Sequence, residues 1–314
     1  MDDRTEPHLT RLQTGLSRRE LIGAGVGAAI ACSSLGAARP PKWSGEPSCI
    51  LLWMDGGPSH LDTFDPRPSA LGARRALATR VPGLHVGPGL PATAERSGSL
   101  AVVRSMTSRE GNHERASEAL RTRIATAAGA NGVEPLRALG DGVRATADAL
   151  GRTWRKDAVP LAYGESAFGR GCWRAAQLAD AGVRFVEVTL GGWDTHADHA
   201  RRIESLLARL DPAFSSLLSD LEEGRLLSRT LVVWAGEFGR TPKVNTNEGR
   251  DHYPYAFCAA LAGRGVRRGA VVGSTDERGE RVVARPVTVP ELLATVRTAL
   301  SGRPSPGAVR ELLA

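Results

Sequence analysis

Lysine is nearly missing from this chain. Of its 41 lysine and arginine side chains, only Lys42, Lys156 and Lys243 are lysine. The arginines are scattered rather than gathered along one helix, so the net charge of +7 forms no nucleic-acid footprint. Helix-turn-helix, zinc-finger and RNA-binding signatures are also lacking, and no nucleic-acid partner is expected. The charge suits a solvated surface, an anionic substrate or an anionic envelope. Cysteine is scarce, with four in 314 residues. Cys32 falls in an N-terminal leader. Cys49, Cys172 and Cys258 cannot pair completely, and their spacing makes no zinc motif. They are expected as buried structural thiols. A chain of this length buries roughly 70–75% of its unfolded surface and needs no disulfide to fold. Beyond the leader there is no apolar run of the roughly 20 residues that span a membrane.

What is present begins with an address. Ser17-Arg18-Arg19-Glu20-Leu21-Ile22 fits the twin-arginine pattern of two arginines before an apolar stretch. No charge falls between Leu21 and Ala38, and that stretch is short and rich in glycine and alanine. Gly36-Ala37-Ala38 offers a small-residue cleavage site. A lipoprotein anchor at Cys32 fits less well, because Ala29 stands three residues before it. Residues 1–40 are therefore expected as a signal, and 41–314 as one domain destined for the periplasm or cell envelope. The twin-arginine route carries proteins already folded, which suits a protein that takes up a metal before export.

The mature part alternates strand-like and helix-like segments. Cys49 to Met54 is an unbroken apolar run ended by Asp55-Gly56-Gly57-Pro58. Leu100 to Val103, Val183 to Leu190, Leu231 to Ala235 and Phe257 to Leu261 read as further strands. Helices are expected over 114–128, 135–150, 166–181, 197–223 and 290–300. Apolar strands separated by helices imply an α/β fold, a mostly parallel sheet covered by helices on both faces.

In such sheets ligands lie beyond the carboxyl ends of the strands. The first strand is followed by Asp55, His60, Asp62 and Asp65. The strand ending at Leu190 is followed by Asp194, His196, Asp198 and His199. The strand ending at Ala235 is followed by Glu237 and, a loop later, by Asp251 and His252. Five of the seven histidines (His60, His113, His196, His199, His252) lie in such turns. Carboxylates and imidazoles without thiolates suit a divalent metal such as zinc or manganese. A single Asp after a strand is commonly a turn or cap residue; here several converge.

The ordered run Trp53-Met54-Asp55-Gly56-Gly57-Pro58-Ser59-His60-Leu61-Asp62-Thr63-Phe64-Asp65-Pro66, Trp193-Asp194-Thr195-His196, Gly236-Glu237-Phe238-Gly239-Arg240-Thr241-Pro242 and Gly249-Arg250-Asp251-His252 resembles the domain-of-unknown-function 1501 family. The resemblance implies an exported protein with an alkaline-phosphatase-like or sulfatase-like core, shortened here between Arg115 and Tyr163. It implies one or two divalent ions: zinc, manganese or calcium. Asp55 or Asp62 would be the first ligand, Asp194 and His196 an Asp/His pair, and His252 with Asp251 a late histidine. Glu237-Phe238-Gly239 stands where Asp-His-Gly is usual, so Phe238 replaces an imidazole and one ion is lost or held differently. Thr107 or Ser105 would be the nucleophile, and Arg240 and Arg250 would hold charged oxygens. The implied activity is metal-dependent hydrolysis of a small sulfate or phosphate ester, or of a sulfated or phosphorylated envelope polysaccharide. The alternative is a non-catalytic domain of the same fold that binds a metal or a partner.

Overall fold

The apolar run after Pro47 forms β1 (Ser48–Asp55), the strand around which the rest is arranged. The computed structural model describes residues 45–68, 75–130, 143–145 and 158–314. Residues 1–44, with the expected leader and Cys32, lie outside the described residues. β1 is flanked in parallel by β4 (Phe185–Gly191) and β5 (Thr230–Ala235). Beyond β5 come β6 (Phe257–Gly263), antiparallel, and then β2 (Leu100–Thr107). The two-residue strands β7 (Val271–Val272) and β8 (Val287–Thr288) run parallel along the outer side of β2. On the far edge β3 (Val143–Ala145) pairs antiparallel with β4. The result is an eight-stranded, mostly parallel sheet.

Side chains alternate across a strand, so β1 feeds two cores at once. Ile50, Leu52 and Met54 point into one core. It is closed by α2 (Ala167–Asp180) and α3 (His199–Glu223). Cys49, Leu51 and Trp53 point into the other, closed by α4 (Val289–Ser301) and by α1, a shorter helical segment between His113 and Ala127. Both faces of the sheet are thus dry, which is why its central strands read as continuous apolar runs. α4 starts with a reciprocal capping box between Thr288 and Glu291, and Pro290 sits in its first turn.

Cys49, Cys172 and Cys258 are buried free thiols. Burial pushes the Cys49 thiol up to about 12, so it behaves as a small apolar side chain. Among the described residues no helix is long and apolar enough to cross a membrane. One expectation is corrected. The helix over 135–150 lies largely outside the described residues, but Val143–Ala145 within it form a strand. The open edge of β4 supplies hydrogen-bond partners there, and these override weak helical periodicity.

Candidate metal centre

The parallel strands β1, β2, β4 and β5 end on the same rim, and their following turns supply the chemistry. After β2 the chain reaches Asn112, whose side chain caps the helical segment by accepting from the Arg115 N–H, 3.1 Å. That cap fixes His113 at the helix start. After β4 come Asp194 and His196, after β5 comes Glu237. Gly239–Arg240 then forms a short antiparallel ladder with His252–Tyr253 and carries His252 back to the rim.

These turns bring three imidazoles to one point. The Nε2 atoms of His113 and His196 each lie 3.0 Å from Nε2 of His252. Oδ1 of Asp194 lies 3.5, 3.1 and 3.3 Å from Nε2 of His113, His196 and His252 respectively. One ligand atom each from His113, Asp194 and His252 falls within 4.8 Å of the others, a spacing that can hold an ion. His196 adjoins this trio from the Asp194 side. All four residues are partly open to solvent, His252 least at 28%.

The far nitrogen of each ring decides what the near one can do. His113 Nδ1 faces the Glu237 carboxylate at 2.7 Å, His196 Nδ1 faces the Asp251 carboxylate at 2.7 Å, and His252 Nδ1 faces the Gly111 carbonyl at 2.8 Å. An acceptor fixes the proton on Nδ1, which turns the Nε2 lone pair of the neutral ring toward the centre. Three such lone pairs beside a carboxylate repel one another unless a cation lies among them. The donor set therefore fits a divalent ion, and its lack of thiolate suits zinc, manganese or a similar metal. Phe238 is the floor of the site. Its buried ring lies 4.8 Å from the His113 ring and 4.7 Å from the His252 ring, centroid to centroid. The Phe238 phenyl thus packs against two of the imidazoles and restrains their orientation.

Electrostatics separate the carboxylates. Burial opposes ionisation of Asp194, but the Arg240 guanidinium, 2.6 Å away, outweighs it and holds the carboxyl below its ordinary range. Glu237 is pushed the other way, upward, chiefly by burial. Its Oε1 accepts from His113 and from the Gly56 N–H at 2.8 Å, while Oε2 is buried with no hydrogen-bond partner among the described residues. Burial pulls His252 below its ordinary value.

The other expected residues are placed as follows. Glu237 and Asp251 touch the rings of His113 and His196 rather than the convergence point. Asp55 lies on the exposed rim, accepting from the Trp53 ring N–H at 3.2 Å. Asp62 lies elsewhere, buried against His199 and Ser59. Ser105 donates its hydroxyl to the Arg285 carbonyl at 2.6 Å, so that group is already engaged. Thr107, half-buried, ends β2 in register with Thr288. Arg240 is fully buried and donates to the carbonyls of Gly56, Gly57 and Arg250 as well as to Asp194. Arg250 is also buried and donates to the carbonyls of Thr241 and Pro242. Both arginines are framework groups that tie loops together. Trp193 is fully buried and packs.

The loops are interlocked at main-chain level. The Arg250 N–H donates to the Thr195 carbonyl and the His199 N–H to the Glu248 carbonyl, and the Asn245 side-chain amide donates to the His196 carbonyl. A side chain at Gly249 would overlap the His196 carbonyl, and one at Gly56 would overlap the Asp194 main chain. His113 is the residue of this cluster that the sequence did not name among its candidate ligands. Its signal was the helix cap at Asn112, close behind β2.

The sequence matches the family described as "Protein of unknown function (DUF1501)" over residues 46–134 and 138–304. The chain belongs to the DUF1501 family. No curated protein matches this DUF1501 chain. Its similarity to solved structures is distant. Ps i-CgsB shares 12% identity, with 82% of this chain and 72% of that one covered and a TM-score of 0.42. The lipoteichoic acid synthase LtaP from Listeria monocytogenes shares 10%, with 88% and 77% covered and a TM-score of 0.44. The PsFucS1 sulfatase from Pseudoalteromonas sp. shares 11%, with 95% and 73% covered and a TM-score of 0.43.

Proposed function

We propose that this DUF1501 protein is a metal-dependent hydrolase of phosphate or sulfate esters, exported by the twin-arginine route as a single domain following residues 1–40. The observation that carries the reading is the convergence of three imidazole Nε2 atoms on Asp194 at a solvent-open rim. A catalytic metal site keeps room for substrate, and partly exposed ligands are what such a site requires. A bound divalent ion supplies Lewis-acid polarisation of an ester oxygen and acidifies water.

The chain's own residues have separate tasks. His113, His252 and Asp194 hold the ion, with His196 as a further ligand. Glu237, Asp251 and the Gly111 carbonyl fix the three ring orientations. Arg240 keeps Asp194 ionised and in place. Phe238 excludes water beneath two of the rings. Ser105 already donates its proton to a carbonyl, which leaves Thr107 as the hydroxyl candidate for a covalent step. A small anionic ester, or a sulfated or phosphorylated envelope polysaccharide, is the substrate class. Its localisation is periplasmic or at the envelope, with an anchor at Cys32 as the lesser route.

A second reading, a non-catalytic metal-binding domain, is favoured by one observation. Arg240 and Arg250 use their hydrogen bonds within the framework, so neither is turned outward to hold an anionic group. Elemental analysis of the purified mature domain, followed by a screen of phosphate and sulfate esters, separates the two. Stoichiometric metal with turnover supports the hydrolase, metal without turnover supports the binding domain, and a folded metal-free protein overturns both.

A further inference from the structure

Behind the candidate metal centre lies a second His/Asp cluster whose side chains do not reach its point of convergence. Asp62 Oδ2 accepts from the Ser59 hydroxyl at 2.7 Å and from His199 Nε2 at 2.9 Å. The other ring nitrogen, His199 Nδ1, lies 2.8 Å from the Thr195 hydroxyl. Ser59, Asp62, Thr195 and His199 are all buried, none more than 4% exposed. The chain of contacts therefore runs directly from side chain to side chain, from the turn after β1 to the residue between Asp194 and His196.

Burial rules out a nucleophilic role for Thr195. What the contact does is restrain. Thr195 is held by its hydroxyl to His199 and by its carbonyl to the Arg250 N–H, 2.9 Å. His199 is in turn fixed as the first residue of α3, with Asp198 before it in the left-handed conformation, φ 51°. With both ends of Thr195 anchored, its two neighbours in sequence leave it in set directions toward the rim.

We infer that Ser59, Asp62, His199 and Thr195 form a buried positioning relay that sets the metal ligands Asp194 and His196. The inference rests on the metal reading above. Asp62 and Thr195 act through the ligands and touch no ion themselves. Partners of this kind typically change metal affinity by about 10- to 100-fold when removed.

The test uses Co2+ as probe and reads its visible absorption spectrum and dissociation constant on the purified mature domain. Thr195→Val keeps the shape and removes the hydroxyl; Thr195→Ser restores it. The relay predicts that Thr195→Val binds Co2+ about 10- to 100-fold more weakly, with an altered spectrum, while Thr195→Ser returns both to wild-type values. Asp62→Asn, which removes the charge at the relay's origin, is read in the same way and serves if Thr195→Val does not fold. A variant that loses thermal stability yet keeps the wild-type spectrum and affinity shows a purely structural role and overturns the relay alone. A folded wild type that binds no Co2+ overturns the metal reading and the relay together.

Discussion

Two clusters of histidine and aspartate sit on the same loops of this protein, and they do opposite things. His113, His196, His252 and Asp194 are partly open, with ring nitrogens turned toward one another. His199 and Asp62 are buried, with each nitrogen already facing a partner. The residue types are the same. What separates them is whether the ring's second nitrogen meets a hydrogen-bonding group or another lone pair. A satisfied buried pair is scaffold, and an unsatisfied open one calls for a ligand.

The comparison can be broken most forcefully at Arg240, the residue that joins the open cluster to the framework. Arg240→Met leaves Asp194 and three carbonyls without their donor, and a loss of about 3–5 kcal/mol in chemical denaturation is expected. A loss below about 1 kcal/mol would mean that the guanidinium is not the brace described. Next comes His252→Ala, which removes the central ring. Metal affinity is expected to fall by at least about 100-fold, more than the loss of an outer partner causes. Retained stoichiometric metal would count against the centre as drawn.

The third prediction sharpens the contrast through acid. Burial raises the Asp62 carboxyl, but the hydrogen bond and charge of His199 bring it down to about 2 from an ordinary 3.8. A depressed carboxylate stabilises the fold fully above its unfolded value and loses that contribution as pH falls through the folded one. Wild type should therefore exceed Asp62→Asn by about 2 kcal/mol near pH 6, and the gap should close as pH falls from about 4 to 2. A gap that does not vary with pH would deny Asp62 its charge. The smallest effect is expected at Glu237→Gln, which keeps an oxygen for His113 and Gly56. Metal affinity should drop by no more than about 10-fold, measured by competition with a chelator.

The central strands were legible because both faces of the sheet are dry, and so was the rim that holds the site. The position of Asp194 and His252 on that rim follows directly. Which of these side chains converge in the open and which are buried was not legible. Asp62 and Asp194 each stand a few residues past a strand, and only burial tells them apart. Arg240 and Arg250 look in sequence like anion holders; their engagement with carbonyls depends on a loop closure that no local pattern encodes. His113 stood among the five turn histidines, but it opens a helix behind Asn112 and belongs to none of the Asp/His motifs, so the sequence did not single it out from His60 or His199. The segment around Val143–Ala145 takes its conformation from the edge of β4, a partner distant in sequence.

Gly249 lies so close to the His196 carbonyl that the two loops leave no room for a side chain between them. For anyone transplanting this site to another protein, the unit to move is therefore the pair. A graft of residues 192–199 without 245–252 would carry the ligand names but not the mould that shapes them, and natural variation in one loop should be tolerated only when the other changes with it.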